Sequence, residues 1–155
     1  MSLEQELREE QVNHLDLSDF SLVSSGTTVR DALAQIRDEK HNVCLIINDG
    51  KLLGIFTDRD VLRKVIPSPE TLDRPIDEVM TPNPITIGPT SSAAEALVLM
   101  DENHFRNLPA MDEDGKIIGN MTHQGVLTYL AARYPVEILN RPLNPDQFPS
   151  IAEGG

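Results

Sequence analysis

Apolar residues in this chain come in short blocks of two kinds, compact runs and runs at helical spacing, and the two alternate. Val43–Ile47, Leu52–Phe56, Leu108–Met111 and Ile117–Met121 are compact, apolar-rich and bounded by turn formers, which predicts buried strands. Ser21–Ser24 and Pro84–Ile87 predict two further short strands. Val29, Ala32, Leu33 and Ile36 recur at three- and four-residue spacing, as do Ala96, Leu97, Leu99 and Met100, and both sets predict helices buried along one face. Each helix opens with a capping box, Thr28-x-x-Asp31 or Ser92-x-x-Glu95, in which hydroxyl and carboxylate satisfy reciprocal backbone donors. Helical spacing also covers Asp58–Val65 and His123–Arg133.

These blocks repeat. Thr28–Asp49 aligns with Ser92–Glu113 at an offset of 64, and after one inserted residue Gly50–Leu62 aligns with Gly115–Leu127 at 65. Eight of the 35 aligned positions are identical, and most others exchange like for like, such as Asp31 for Glu95. The period is too long for a solenoid, so the pattern is a duplicated half-domain of order β-α-β-β-α, an α/β fold of the α+β type. Asn48-Asp49-Gly50 and Asp112-Glu113-Asp114-Gly115 are the matching turns, where glycine supplies the positive φ a tight hairpin needs.

The expected organisation is an N-terminal helix within 1–19, a first unit at 20–66, a linker at 67–79, a second unit at 80–133 and a tail at 134–155. Glu4–Asp19 is acidic, with Leu3, Leu7, Val12 and Leu15 as a narrow apolar stripe. The linker is rich in proline at Pro67, Pro69 and Pro75. In the tail, Val136–Leu139 reads as a helical turn, and Pro142, Pro145 and Pro149 predict extended chain.

At the end of the second hairpin strand of each half lies the stretch with most chemical promise. Gly54-Ile55-Phe56-Thr57-Asp58-Arg59-Asp60 has a degenerate copy in Gly119-Asn120-Met121-Thr122-His123-Gln124-Gly125. A strand runs there into a helix start, whose unpaired N–H groups and partial positive charge suit a phosphate. The first copy adds Asp60, a carboxylate suited to the paired hydroxyls of a ribose. Thr57-x-x-Asp60 is equally readable as another capping box.

Charge narrows the partners. With 13 Lys and Arg against 25 Asp and Glu, the net charge of −12 opposes binding to nucleic acid or to an anionic membrane surface. No apolar run approaches a membrane span and no signal peptide is evident, so a cytoplasmic protein is expected. The single cysteine, Cys44, excludes an internal disulfide and reads as a small core residue. His14, His41, His104 and His123 lack metal-ligand spacing. No nucleophile paired with a base and no P-loop suggests an enzyme.

From about Phe20 to Arg133 the chain resembles the tandem CBS-domain pair, and the Tyr129-Leu130-Ala131 to Asn140-Arg141-Pro142 stretch looks like bacterial proteins built of little more than such a pair. The motifs that carry the resemblance are Gly54–Asp60, which fits G-h-x-[ST]-x-x-D; Val79-Met80-Thr81-Pro82-Asn83-Pro84 with Ala94-Glu95-Ala96-Leu97; and Phe105-Arg106-Asn107-Leu108-Pro109. The resemblance implies two units packed sheet to sheet about a pseudo-twofold axis, two clefts between them, an adenosine-containing regulatory ligand (AMP, ADP, ATP or an S-adenosyl compound) and a homodimer of pairs. It implies that Asp60 meets the ribose, Thr57 and Arg59 lie near ribose or phosphate, and Ile55 lies beside the base. Pro84 and Ile85 would flank the adenine, with Phe105 and Arg106 near base and phosphate. The other cleft would be lined by Ser21, Leu22, His41, Asn42, Thr122 and Gln124. Gly125 replaces the expected acid there and Asn120 replaces the apolar residue matching Ile55, so that cleft is expected to be empty or weak. A module that only dimerises, with no small ligand, is the alternative.

Overall fold

The computed structural model describes residues 2–133; the tail at 134–155, with its expected turn at Val136–Leu139, lies outside the described residues. The elements are α1 (Leu3–Glu9), β1 (Ser21–Ser24), α2 (Val29–Glu39), β2 (Cys44–Asn48), β3 (Lys51–Phe56), a single α-turn α3 (Asp58–Asp60), β4 (Thr81–Pro82), α4 (Ala93–Asn103), β5 (Asn107–Met111), β6 (Ile117–Thr122) and α5 (His123–Arg133). Short 3₁₀ turns cover Val12–His14, Pro69–Asp73 and Ile76–Glu78.

The duplication extends to backbone detail. α2 and α4 both end on a residue in the left-handed region, Lys40 (φ 59°) and His104 (φ 57°), which are equivalent at the offset of 64. Both hairpins shift register at equivalent places, between Ile46 and Ile47 and between Ala110 and Met111. Glycines with positive φ, Gly50 and Gly115, close both turns. Thr28 and Ser92 accept hydrogen bonds from Asp31 N–H (3.1 Å) and Glu95 N–H (3.0 Å). The caps are therefore one-sided, since no bond from the carboxylates back to the cap N–H forms.

The first sheet has the order β1-β2-β3-β4, with β1 parallel to β2 and the other pairs antiparallel; β5 and β6 form a second, antiparallel sheet. The strand expected at Pro84–Ile87 is reduced to one parallel bridge, Ile87 to Ala110. Ile87 N–H donates to Pro109 O and Met111 N–H donates to Ile87 O, both at 2.9 Å. The next rung would need an N–H from Pro109, which has none. At the equivalent position of the first unit stands Leu45, and its ladder runs through four pairs.

The N-terminal helix is also shorter than expected. α1 stops at Glu9, and Val12 and Leu15 instead bury themselves against Ile87, Ala93, Ala96, Met100, Leu108 and Met121 of the second unit. A second core holds Val23, Val29, Ala32, Cys44, Ile46, Phe56, Ile76 and Val79. Val43, Leu45 and Ile55 form a third cluster with Phe20, Leu52 and Ile117, joining the two sheets.

The segment that leads into each unit thus completes the other. Thr81 and Pro82, ahead of the second unit, pair with Ile55 and Gly54 of β3. Leu17 and Asp19, ahead of the first, bond to β6: Asn120 N–H donates to Leu17 O (2.9 Å) and Asn120 Nδ2 to Asp19 O (3.1 Å). Gly54 and Gly119 permit these approaches. A Cβ at Gly54 would lie 2.4 Å from Met80 Sδ, and one at Gly119 would lie 2.3 Å from Leu17 Cβ.

Candidate functional site

A cavity of about 1100 Å³ opens between the two units. Ile55 and Thr57 reach it from the end of β3, Arg59 from α3, Pro84 and Ile85 from the stretch after β4, and Phe105 and Arg106 from the corner between α4 and β5. Residues from both halves of the sequence thus meet on one lining. The local reasons are short-range: β3 runs directly into Thr57 and α3, and the left-handed His104 ends α4 so that Phe105 and Arg106 turn back across the opening. Arg59 ties the halves together, its Nη2 donating to His104 O at 2.5 Å. That carbonyl belongs to a helix C-cap, where a cation is favoured.

Asp60, expected to meet a ribose, is not among the residues that line the cavity. Its side chain is buried, 3% exposed, and its carboxylate is fully engaged. Oδ2 accepts from Thr57 N–H (3.0 Å); Oδ1 accepts from Thr81 Oγ1 (2.9 Å) and lies 3.1 Å from Lys64 Nζ. Lys64 donates in turn to Val79 O (2.9 Å) and Met80 O (3.3 Å). The pair fixes the segment leading into the second unit, in keeping with the requirement that a buried carboxylate be paired and hydrogen-bonded. Thr81, whose hydroxyl bonds Oδ1, is itself on the cavity lining.

The helix expected over Asp58–Val65 is one α-turn followed by a π-turn, Val61–Val65, closed by Ile66 N–H to Val61 O at 2.9 Å. Such widened turns recur at functional sites, and this one carries Lys64. The Asp60-x-x-x-Lys64 spacing was the available sequence signal for their contact. Arg63 and Leu62, four and three residues after Arg59, also line the cavity, as do His104 and His123; the same spacing from Arg59 pointed to the first two.

The residues of the other cleft are arranged differently. Ser21 is buried with its Oγ 3.0 Å from His41 Nδ1, and Asn42 binds Asp19 through N–H and Nδ2, both at 2.9 Å. Thr122 Oγ1 accepts from Gly125 N–H at 2.7 Å, while Leu22 and Gln124 are exposed. A Cβ on Gly125 would stand 3.2 Å from Asp16 O. The segment ahead of the first unit therefore crowds this position, and an acid here would require it to shift by a few tenths of an ångström. None of these six residues lines the large cavity.

A fold of two such units, each a strand, helix, hairpin and helix, with a shared crevice at the helix starts, defines a class. The family model described as CBS domain matches residues 12–67 and again 76–132, and the chain belongs to the CBS-domain family as a tandem pair. Among curated proteins it is 38% identical over 112 residues to the CBS domain-containing protein CBSCBSPB3 of Arabidopsis thaliana, covering 71% of this chain and 20% of that one. The chain spans about a fifth to a quarter of the first curated relatives it matches. An uncharacterized conserved protein from Pyrococcus horikoshii shares the fold at TM-score 0.71 and 26% identity, over 88% of this chain and 97% of that one. The crystal structure of CBSX2 in complex with AMP matches at TM-score 0.70 and 24% identity, over 80% and 98% of the two chains. Among the described residues no helix is long and apolar enough to cross a membrane.

Proposed function

We propose that this CBS pair is a regulatory, non-catalytic module that senses an adenosine-containing nucleotide in the cavity between its units. The observation that supports it is the lining itself. Apolar Ile55, Pro84, Ile85 and Phe105 offer surfaces for a base, and Thr57, Arg59 and Arg106 offer donors for a sugar and phosphate. The kinship with a CBS protein solved with AMP is consistent with this use.

Regulation follows from the Asp60 contact. A ribose that takes over the carboxylate displaces Thr81, and Thr81 belongs to the two-residue strand that joins the units. Ligand binding is then coupled to the linker to the extent that the two arrangements differ in affinity. A thermal-shift series with AMP, ADP, ATP and S-adenosylmethionine tests the reading. At a hundred times its dissociation constant a ligand stabilises by about 2.7 kcal/mol, and Asp60→Asn reduces that response. A flat melting temperature with every ligand removes the reading.

A second reading, self-association, is favoured by exposed apolar side chains on the helical faces. Leu62 is 62% exposed, Ile66 61%, Val98 53% and Leu127 46%, and equivalent Leu62 and Leu127 occupy matching places in the two units. A homodimer of pairs would cover them. Light scattering that returns a 17.2 kDa particle at all concentrations would exclude it.

A further inference from the structure

The arginines of the described residues divide into two sets. Arg8, Arg30, Arg37, Arg74 and Arg133 each lie within 3.4 Å of a carboxylate, those of Glu4, Asp73, Asp38, Glu78 and Glu6. The remaining three of the described residues, Arg59, Arg63 and Arg106, form no ion pair with any described acid, and all three line the cavity between the units. Asp58 and Asp101 share that lining and still do not pair with them. In a chain with 25 acids to 13 bases, unpaired guanidinium groups are the exception. Gathering three in one crevice raises their mutual repulsion, which an anion relieves.

From this we infer that the cavity selects its ligand by a phosphate chain, and that the ligand is a nucleoside di- or triphosphate. A monophosphate, a nucleoside or a cationic sulfonium such as S-adenosylmethionine is a poorer fit. The inference rests on the nucleotide reading above and sharpens it. Guanidinium groups bind phosphate oxygens through paired N–H donors, so each can hold a phosphate in a fixed orientation. Arg59 and Arg63 stand four residues apart in the first unit, and Arg106 comes from the second. Phosphates bound between them tie the units together, whereas a single phosphate leaves part of the cationic set unmatched. A sulfonium adds a further positive charge to the set.

Calorimetric titration with adenosine, AMP, ADP, GDP, inorganic pyrophosphate and S-adenosylmethionine tests this, using wild type, Arg63→Gln and Arg106→Gln. Both arginines are exposed, so the substitutions leave the fold intact, and circular dichroism checks it. Arg59 is left in place because it also bonds His104. The expected result is that ADP binds at least about tenfold more tightly than AMP, with adenosine and S-adenosylmethionine weaker again. Each substitution should weaken ADP about tenfold, roughly 1.4 kcal/mol, and leave adenosine unchanged. Equal affinity for AMP and ADP, tight S-adenosylmethionine, or arginine variants that bind ADP normally overturns the inference while sparing the adenosine reading. GDP or pyrophosphate binding as tightly as ADP does the reverse, upholding the phosphate chain and removing the adenosine. No binding by any compound overturns both.

Discussion

Thr57–Asp60 and Thr122–Gly125 begin equivalent helices of a duplicated unit, yet they grip the chain that crosses to them by opposite chemistry. The first uses charge: Asp60 and Lys64 hold the Thr81 hydroxyl and the Val79 and Met80 carbonyls. The second grips with neutral side chains, one of them on an acid: Asn120 holds Leu17 and Asp19 carbonyls, and Tyr129, the counterpart of Lys64, donates to Glu10 Oε2 at 2.8 Å. Asn120, fully buried, also bonds Asn107 Oδ1 at 3.1 Å and leaves its own Oδ1 without a protein partner. The lesson is that an acid at a helix start survives where the crossing segment leaves it room. At Gly125, with Thr122 Oγ1 and Asp16 O at 3.1 and 3.2 Å from the Cβ position, the fit is tight.

The largest effect is expected where the crossing is tightest. Gly119→Val drives a side chain into Leu17 Cβ and into Leu17 O, which lies 2.7 Å from the Cβ position. A cost of about 3 kcal/mol in urea denaturation is expected. Gly54→Val meets the flexible end of Met80 but also Thr81 O, 2.9 Å from the Cβ position, so it should cost only somewhat less than Gly119→Val; a larger cost at Gly54 would break the contrast between the two crossings.

Asp60→Ala should rank next. It removes the bond to Thr57 N–H and leaves Lys64 without its carboxylate, but Lys64 remains 40% exposed and can hydrate. After allowance for that screening, a loss of about 2 kcal/mol is expected by chemical denaturation. A neutral result would mean that the ion pair does not hold the linker.

Tyr129→Phe should cost about 1 kcal/mol, the net worth of one hydrogen bond, and its pH dependence sharpens the test. The Tyr129 hydroxyl, against the opposing effect of burial and with help from His14 and Gln11 N–H, holds the Glu10 carboxyl below its ordinary value of 4.5. A carboxyl depressed in the folded state contributes stability above its unfolded pKa and loses it as pH falls through the folded one. Wild type should therefore lose stability more steeply than Tyr129→Phe on acidification below about pH 4.5. Parallel acid limbs would remove Glu10 as the cause.

Much of this architecture was legible because periodicity is local. The repeat, both hairpins and the caps at Thr28 and Ser92 follow from spacing and turn residues within a few positions. Pro109 could have warned against a full strand at Pro84–Ile87, since the missing N–H sits in the partner strand. The burial of Val12 and Leu15 in the second unit could not be read, because that pairing joins residues about seventy or more apart and nothing in their neighbourhood names the partner. At the site, seven of the eight residues expected to bind lie on the cavity and Asp60 sits behind it. A motif gives residue type and order, while the direction of a carboxylate depends on competing donors, here Thr81 and Lys64.

Because each unit borrows a strip of backbone from its twin's leader, neither is whole when alone. A peptide cut between Asp73 and Ile76 would yield two pieces, each with a bare rim that only the other can sheathe. Mutual dependence of this kind means that loosening either leader lays open an edge of the opposite unit.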